Sequence, residues 1–155
     1  MQNHAVEFIP AIPDTHEKII QKIGNGNANK LFVSFEEPFW DVTMQWLYFL
    51  SKDGYNRYPT AATIAEGGRF ILCFFLSGEI NNLLAGLTDK QIADDLLNFL
   101  AKFNLKELKV RDYLVTRWHN DPLSQGSYSF FKVGLTVDEV NSLRSPINNK
   151  IWFVG

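Results

Sequence analysis

Three segments of the chain carry apolar residues at the spacing of an amphipathic helix. The strongest pattern begins at Thr88, whose side chain can form a capping box with that of Gln91. Its inward stripe comprises Ile92, Ala93, Leu96, Leu97, Leu100 and Phe103. Its outward positions include Asp94, Asp95 and Lys102. Thr136 and Glu139 predict a second capping box, followed by a shorter stripe of Val137, Val140 and Leu143.

The earliest predicted helix follows Pro13. We expect Asp14 as its N-cap, with Glu17 completing a capping box three residues later. Its inward stripe comprises Ile19, Ile20 and Ile23. Gly24 is expected to end the helix in the left-handed conformation. One or two further helical turns are expected within residues 78–86.

Residues with high β propensity mark five candidate strands. They are residues 30–36, 44–50, 69–77, 108–118 and 151–154. The third is apolar on both faces, which predicts a central strand covered on both sides. The first two are separated by only seven residues, which favours an antiparallel hairpin. The order of elements predicts an α+β fold with a mixed, largely antiparallel β-sheet flanked by α-helices.

Composition restricts the class of protein. The chain has 155 residues, 46% hydrophobic and 21% charged, as expected for one domain over residues 1–155. The formal net charge is −2 without any block of like charge, so nucleic acid is not expected as a partner. The longest apolar run, residues 70–76, is far shorter than the roughly 20 residues that span a bilayer, so no membrane partner is expected. Cys73 is single and the chain does not start like a signal peptide, which favours a cytoplasmic location.

The common catalytic patterns are missing from the sequence. His4, His16 and His119 lie far apart without paired spacing, so no metal site is expected. No serine lies in a nucleophile elbow, and Cys73 is expected to be an inert packing residue of an apolar strand. The glycines in residues 24–29 resemble part of a dinucleotide-binding loop, but they follow a helix and precede a strand, which reverses the required order. A helix stop and turn is favoured there.

Residues 116–131 combine aromatic side chains with turn residues. Trp118 ends a predicted strand, an Asp-Pro turn follows, and Tyr128 comes after a glycine and a serine. Two interpretations remain open. The residue types alone favour an ordinary loop with aromatic anchors, whereas Trp118 and Tyr128 could also form a flat apolar wall for an aromatic cofactor or an amine. His119 could act as a general base, although a loop histidine is more often a surface residue.

Five short motifs occur in a fixed order along nearly the whole chain. They are FIPAIP at 8–13, NKLFVSF and PFWD within 29–41, LSGE at 76–79, TRW, DP and GSYS within 116–129, and IWFVG at 151–155. In this order they resemble the flavin-containing amine oxidases, a family of monoamine oxidases, polyamine oxidases and flavin-dependent histone lysine demethylases. The motif within 116–129 is the most specific. Each motif alone is weak, and a generic α+β domain remains the interpretation if the matches are accidental.

The resemblance implies roles for five residues and no metal ligand. Lys30 corresponds to a lysine that holds a water against flavin N5, which makes it the candidate catalytic residue and a candidate cofactor-binding residue. Trp118 corresponds to a tryptophan packed close to the isoalloxazine ring, and Gly126 to a glycine that lets the backbone approach that ring. Tyr128 corresponds to an aromatic residue that walls the amine cavity, and Gly155 ends a strand that returns to the cofactor. Lys30, Trp118 and Tyr128 are expected to converge on one hollow.

The implied reaction is oxidation of a C–N bond, in which the α-carbon of an amine gives hydride to FAD and O₂ re-oxidises the flavin. The resemblance does not include the family's Gly-rich flavin-binding unit. The chain is therefore expected to be a segment of a substrate-binding domain excised from a larger FAD-dependent oxidase, inactive and without tight FAD binding by itself.

The expected partners are an amine substrate and the missing flavin-binding domain of the same polypeptide. Self-association through exposed apolar surface is also expected. The alternative is a stand-alone, flavin-free binding or interaction module that retains the fold.

Overall fold

The computed structural model describes residues 6–50, 52, 57–105 and 107–153. Within them the helices are α1 (Asp14–Lys22), α2 (Glu79–Leu84), α3 (Asp89–Ala101) and α4 (Val137–Ser142). The strands are β1 (Ile23–Asn25), β2 (Ala28–Phe35), β3 (Trp46–Tyr48), β4 (Thr60–Glu66), β5 (Arg69–Ser77), β6 (Val110–Val115) and β7 (Ser129–Phe131). The chain forms two compact units, a larger one over Asn27–Ser127 and a smaller one from the residues on either side. That residues 1–155 are one domain stays a prediction.

The larger unit is built on a five-stranded sheet. The strand order is β3-β4-β5-β2-β6, and every neighbouring pair is antiparallel. β5 is the middle strand, as its apolar sequence predicts. In the smaller unit, β1 pairs with β7, also antiparallel. The predicted α+β class with a largely antiparallel sheet and flanking helices is confirmed.

Side-chain alternation gives the five-stranded sheet two faces of different character. One cross-strand row on the first face comprises Leu47, Ala61, Phe74, Leu31 and Val115. This face packs against α3 and contains the main hydrophobic core. The matching row on the second face comprises Trp46, Ala62, Cys73, Phe32 and Leu114. We call the second face the open sheet face, because Trp46, Phe75 and Leu114 are exposed on it. The predicted cover of β5 on both sides is therefore incomplete.

The predicted hairpin between residues 30–36 and 44–50 is wrong. β2 pairs with β5 on one side and with β6 on the other, whereas β3 pairs with β4. Every second residue of β2 is buried, a pattern that shows one covered face and does not determine which strands pair with its two edges. The sequence analysis misses β4 (Thr60–Glu66), in which three alanines and a glutamate dilute the β-branched residues Thr60, Thr63 and Ile64. Ile151 forms a single bridge with Ile147 rather than the predicted strand, and Val154 lies outside the described residues.

Both capping boxes predicted for the later helices are confirmed, Thr88 with Gln91 at α3 and Thr136 with Glu139 at α4. α3 buries Ile92, Ala93, Leu96, Phe99 and Leu100. α4 buries none of its own residues, and of its predicted stripe only Leu143, just beyond its end, is buried. α2 fills the turn expected within residues 78–86. No described helix combines the length and apolar character needed to cross a membrane.

The ends of α1 differ from the prediction. Pro13 is extended and is itself the N-cap, so Asp14 is already the first helical residue and forms no cap with its side chain. Gly24 does not stop the helix, because α1 runs directly into β1. Gly24 is buried there, and a Cβ on it would lie 2.2 Å from Cζ of Phe130 on β7. The close approach of these two strands, rather than a left-handed backbone, explains the glycine.

Asp95 faces the protein, contrary to the prediction that it points away. Its carboxylate accepts hydrogen bonds from the Tyr58 hydroxyl at 2.8 Å and from the Arg57 guanidinium. Tyr58 is fully buried, and this burial together with the bond to Asp95 raises the pKa of the phenol. The three side chains tie the residues before β4 to α3.

We predict that Tyr58→Phe lowers the free energy of unfolding by about 1–2 kcal/mol, because Asp95 loses a buried hydrogen-bond donor. Urea denaturation followed by circular dichroism measures the change. Tyr48→Phe is the matched control, because Tyr48 is 70% exposed and its hydroxyl stays in contact with water. Equal stabilities of the two variants would contradict the assigned role of Tyr58.

In the smaller unit, an ion pair joins α1 to α4. The Lys22 ammonium lies 2.5 Å from Oε1 of Glu139. The hydrogen bond from Lys22, supported by the backbone N–H of Thr136, lowers the pKa of Glu139 from 4.5 to about 2.

We predict that this ion pair makes the stability of the smaller unit depend on acid. The folded-state pKa of Glu139 is lowered, so its contribution is complete above pH 4.5 and is lost as the pH falls toward about 2. Glu139→Gln should reduce the loss of stability across this interval, measured by urea denaturation at each pH. Asp138→Asn removes the neighbouring carboxylate and should keep the wild-type loss. An unchanged loss in Glu139→Gln would show that the ion pair is not the cause.

Candidate functional site

The candidate catalytic residue, Lys30, lies on the open sheet face of β2. Its ammonium is 5.5 Å from the ring centroid of Phe75, the cross-strand neighbour on β5. The Phe75 ring stacks with the Trp46 indole, with 6.0 Å between centroids and 22° between ring planes. Within the described part of the chain, Lys30 forms no ion pair with a carboxylate. The lysine cation is therefore held beside aromatic surface, an arrangement that contributes about 0.5–1 kcal/mol when exposed.

Cys73 lies on the same face, one cross-strand row from Lys30 and Phe75. Its side chain is buried, and burial raises the pKa of the thiol although the Lys30 ammonium opposes this. A raised pKa keeps the thiol protonated and unreactive. The structure therefore agrees with the predicted packing role of Cys73.

Trp118 follows β6, and its backbone is fixed on both sides. Its N–H donates to Oδ1 of Asn29 at 2.9 Å. Its carbonyl accepts from the N–H of Gly126 at 3.0 Å and from the Ser124 hydroxyl at 2.8 Å. The side chain remains 46% exposed. The segment thus presents an accessible indole from a backbone that is held in place.

Arg117 anchors the same segment to the start of α3. One guanidinium nitrogen donates to the Leu87 carbonyl at 2.8 Å and to the Asp89 carboxylate at 2.6 Å. Because Arg117 directly precedes Trp118, this contact limits the movement of the tryptophan backbone.

A buried asparagine pair supports this region, and the sequence analysis does not predict it. Asn29 and Asn81 are 7% and 5% exposed, and Nδ2 of Asn29 donates to Oδ1 of Asn81 at 2.8 Å. Nδ2 of Asn81 donates to the Asn27 carbonyl at 3.1 Å. One signal could have found the pair: Asn29 occupies the phase of β2 that otherwise holds only buried apolar residues. A polar residue in that phase indicates a buried hydrogen-bond network.

Three of the predicted site residues lie in the same unit. Lys30, Trp118 and Gly126 belong to the larger unit, where hydrogen bonds link their backbones through neighbouring residues. Tyr128 belongs to the smaller unit, where it precedes β7 and is 66% exposed. Gly155 lies outside the described residues. The convergence of Lys30, Trp118 and Tyr128 on one hollow stays a prediction.

An open concavity of about 500 Å³ lies beside Trp118. It is lined by Thr116, Arg117, Trp118, Asn120, Asp121, Pro122 and Leu123. His119, the alternative general base, is exposed. Among the described residues, no group of three or more His, Cys, Asp or Glu side chains could hold a metal ion.

The whole chain, residues 1–155, matches the family model of flavin containing amine oxidoreductases. The chain belongs to this family. Its membership confirms the resemblance seen in the sequence motifs.

Individual relatives in this family include oxidases and demethylases. The chain is 28% identical to the peroxisomal N(1)-acetyl-spermine/spermidine oxidase of Bos taurus, over 90% of the chain and 31% of that protein. It is 27% identical to a possible lysine-specific histone demethylase 1 of Drosophila melanogaster, over 94% of the chain and 17% of that protein. The chain thus spans less than a third of the length of these two relatives.

Solved structures of amine oxidases share the fold. A redesigned putrescine oxidase superposes with a TM-score of 0.73 at 19% identity, over 94% of this chain and 33% of that one. The cyclohexylamine oxidase of Brevibacterium oxydans superposes with a TM-score of 0.70 at 16% identity, with the same coverage. At these identities the likeness concerns the fold alone.

We predict that the chain of residues 1–155 binds an apolar fluorescent dye through the open sheet face, because several large side chains are exposed there. Leu114→Glu should weaken the dye fluorescence and any self-association, since it places a charge in the central row of that face. Leu83→Glu on α2 is the matched control, because Leu83 and Leu114 are 56% and 58% exposed. Equal dye binding by the two variants would contradict the assignment of the dye site.

Proposed function

We propose that the chain forms the substrate-binding portion of a flavin-dependent amine oxidase, which oxidises a C–N bond with FAD as cofactor and O₂ as electron acceptor. The family membership supports the reaction class. The partial coverage of the relatives supports the view that a flavin-binding domain of the same polypeptide completes the site.

One observation carries the proposal: Lys30 is a half-buried cation on an apolar sheet face and has no carboxylate partner among the described residues. A surface lysine needs no such surroundings, and a structural lysine usually pairs with an acid. An ammonium without a counter-ion keeps its hydrogen-bond donors free for a water or a ligand. This is the arrangement required of a lysine that positions a water in a cofactor site.

The residues of the larger unit fit a flat, mostly apolar ring system. The Trp118 indole offers an accessible flat surface, and Gly126 adds no side chain beside it. Lys30 would hold a water through its ammonium, while Trp118 and Gly126 would bind the ring. A bound FAD would supply the hydride acceptor. The chain's own residues would bind and orient the amine and would exclude bulk water from the site.

An amine is the substrate class that we propose. The names of the relatives mention acetylated polyamines and histone lysine, and those of the solved structures mention putrescine and cyclohexylamine. The stacked rings of Trp46 and Phe75 and the exposed ring of Tyr128 are surfaces that attract an amine nitrogen. Apolar surroundings also disfavour the ammonium form, which leaves the nitrogen lone pair available.

By itself the chain is proposed to lack turnover and tight FAD binding. A cytoplasmic location is proposed separately, because a single cysteine suits a reducing compartment. The exposed apolar side chains of the open sheet face also suit the alternative, a flavin-free interaction module. Absorbance of the purified complete protein separates the two. A yellow protein bleached by an amine without oxygen would support the oxidase, and a colourless one that takes up no FAD would support the module.

We predict that Lys30→Met in the complete protein slows flavin reduction or re-oxidation by at least about tenfold, since the water that Lys30 holds loses its donor. Stopped-flow absorbance measures both half-reactions, and thermal unfolding should stay near the wild-type value. Lys109→Met is the matched control, because the Lys109 side chain is 73% exposed. Its ammonium forms one long ion pair, 3.9 Å from Oε2 of Glu36. Unchanged rates in both half-reactions would remove Lys30 from the mechanism.

A further inference from the structure

The amide of Asn29 links two of the candidate flavin residues of the larger unit, Lys30 and Trp118. Asn29 directly precedes Lys30 in β2, and its Oδ1 accepts the N–H of Trp118 at 2.9 Å. The Thr116 hydroxyl lies between them, because it accepts the N–H of Lys30 at 2.8 Å and lies 3.4 Å from Oδ1 of Asn29. One buried amide thus touches the segments that carry both candidate residues.

The sheet ladder alone does not fix Trp118. The last pair in the β2–β6 ladder joins Leu31 to Val115, and the N–H of Thr116 still donates to the Lys30 carbonyl at 2.9 Å. Two residues later the chain has left the strand, and the N–H of Trp118 bonds to a side chain instead of the backbone. The amide of Asn29 therefore extends the register of the sheet to the tryptophan.

Asn81 holds the Asn29 amide in the orientation that this contact needs. Nδ2 of Asn29 donates to Oδ1 of Asn81 at 2.8 Å, so Oδ1 of Asn29 faces Trp118. Asn81 is fixed in turn by its bond to the Asn27 carbonyl. Because both amides are more than nine-tenths buried, breaking the chain of bonds would leave polar groups unpaired.

We propose that Asn29 is a positioning residue, which sets the place of the Trp118 indole relative to the Lys30 ammonium. This inference rests on the proposed function, because the relative placement of Lys30 and Trp118 matters for activity only if both contact a flavin. Because Asn29 is only 7% exposed, we expect its amide to make no direct contact with substrate or cofactor. It acts through the backbones of Lys30 and Trp118, which it holds within one hydrogen-bond network.

A purely structural role would make a different prediction. In that case, loss of the Asn29 amide would lower stability as Tyr58→Phe does and would leave the environment of the flavin unchanged. A positioning role requires a change in the flavin environment in addition to the loss of stability. Tyr58→Phe is therefore the matched control, since it removes a buried hydrogen bond in the same unit without touching Lys30 or Trp118.

The test compares three variants of the complete flavoprotein. Asn29→Leu removes both the donor and the acceptor, Asn29→Asp keeps an acceptor for the N–H of Trp118, and Thr116→Val removes the hydroxyl with little change of shape. The readouts are the circular dichroism of the bound flavin, the rate of flavin reduction at saturating amine, and hydrogen exchange of the backbone at residues 116–120.

We expect Asn29→Leu to alter the flavin circular dichroism, to speed exchange at residues 116–120, and to slow reduction by about 10- to 100-fold with a smaller change in KM. Asn29→Asp keeps the acceptor for Trp118 but loses the donor to Asn81, so it should restore only part of the reduction rate. Thr116→Val should change the same readouts in the same direction and to a smaller extent. If Asn29→Leu does not fold, Thr116→Val and Asn29→Asp decide the question.

Two outcomes separate this inference from the proposed function. Faster exchange at residues 116–120 with unchanged flavin circular dichroism and reduction would overturn the positioning role and leave the oxidase proposal intact. Unchanged exchange in every folded variant would overturn it as well. A complete protein that holds no flavin and is bleached by no amine would overturn the oxidase proposal and this inference together.

Discussion

The alternation of side chains along β2 is the constraint on which the rest of the structure depends. Leu31, Val33 and Phe35 are buried on the side of α3, and this fixes the even-numbered residues on the open sheet face. A shift of one residue would exchange the two sets and expose the core. Lys30 therefore lies on the open face because its neighbours must be buried, and no feature of its own side chain is needed to place it there.

The same constraint brings an amide to the place where the β2–β6 ladder ends. Asn29 falls in the buried phase, so it must satisfy its polar atoms within the protein. Asn81 and the N–H of Trp118 satisfy them, and this holds a loop that would otherwise leave the sheet. The larger unit thus combines an apolar sheet face with a polar network that fixes its border.

Local signals in the sequence predict much of the fold. The capping boxes at Thr88 and Thr136, the apolar run of β5 and the α+β class follow from short-range patterns that packing does not overrule. The strand pairing does not follow from them, because β2 joins β5 and β6 through contacts between residues far apart in sequence. The role of Asp95 is hidden for the same reason, since its partners precede it by almost forty residues.

The candidate site divides along similar lines. The motifs around Lys30 and Trp118 identify the family, whereas the asparagine pair behind them becomes visible only when the strand register is known.

The most direct test of the account is a crystal structure of the complete protein with FAD bound. The account predicts the Lys30 ammonium within reach of the flavin ring through one bridging water, with the Trp118 indole packed against the ring. A Lys30 ammonium directed away from the flavin, or paired with a carboxylate, would contradict it.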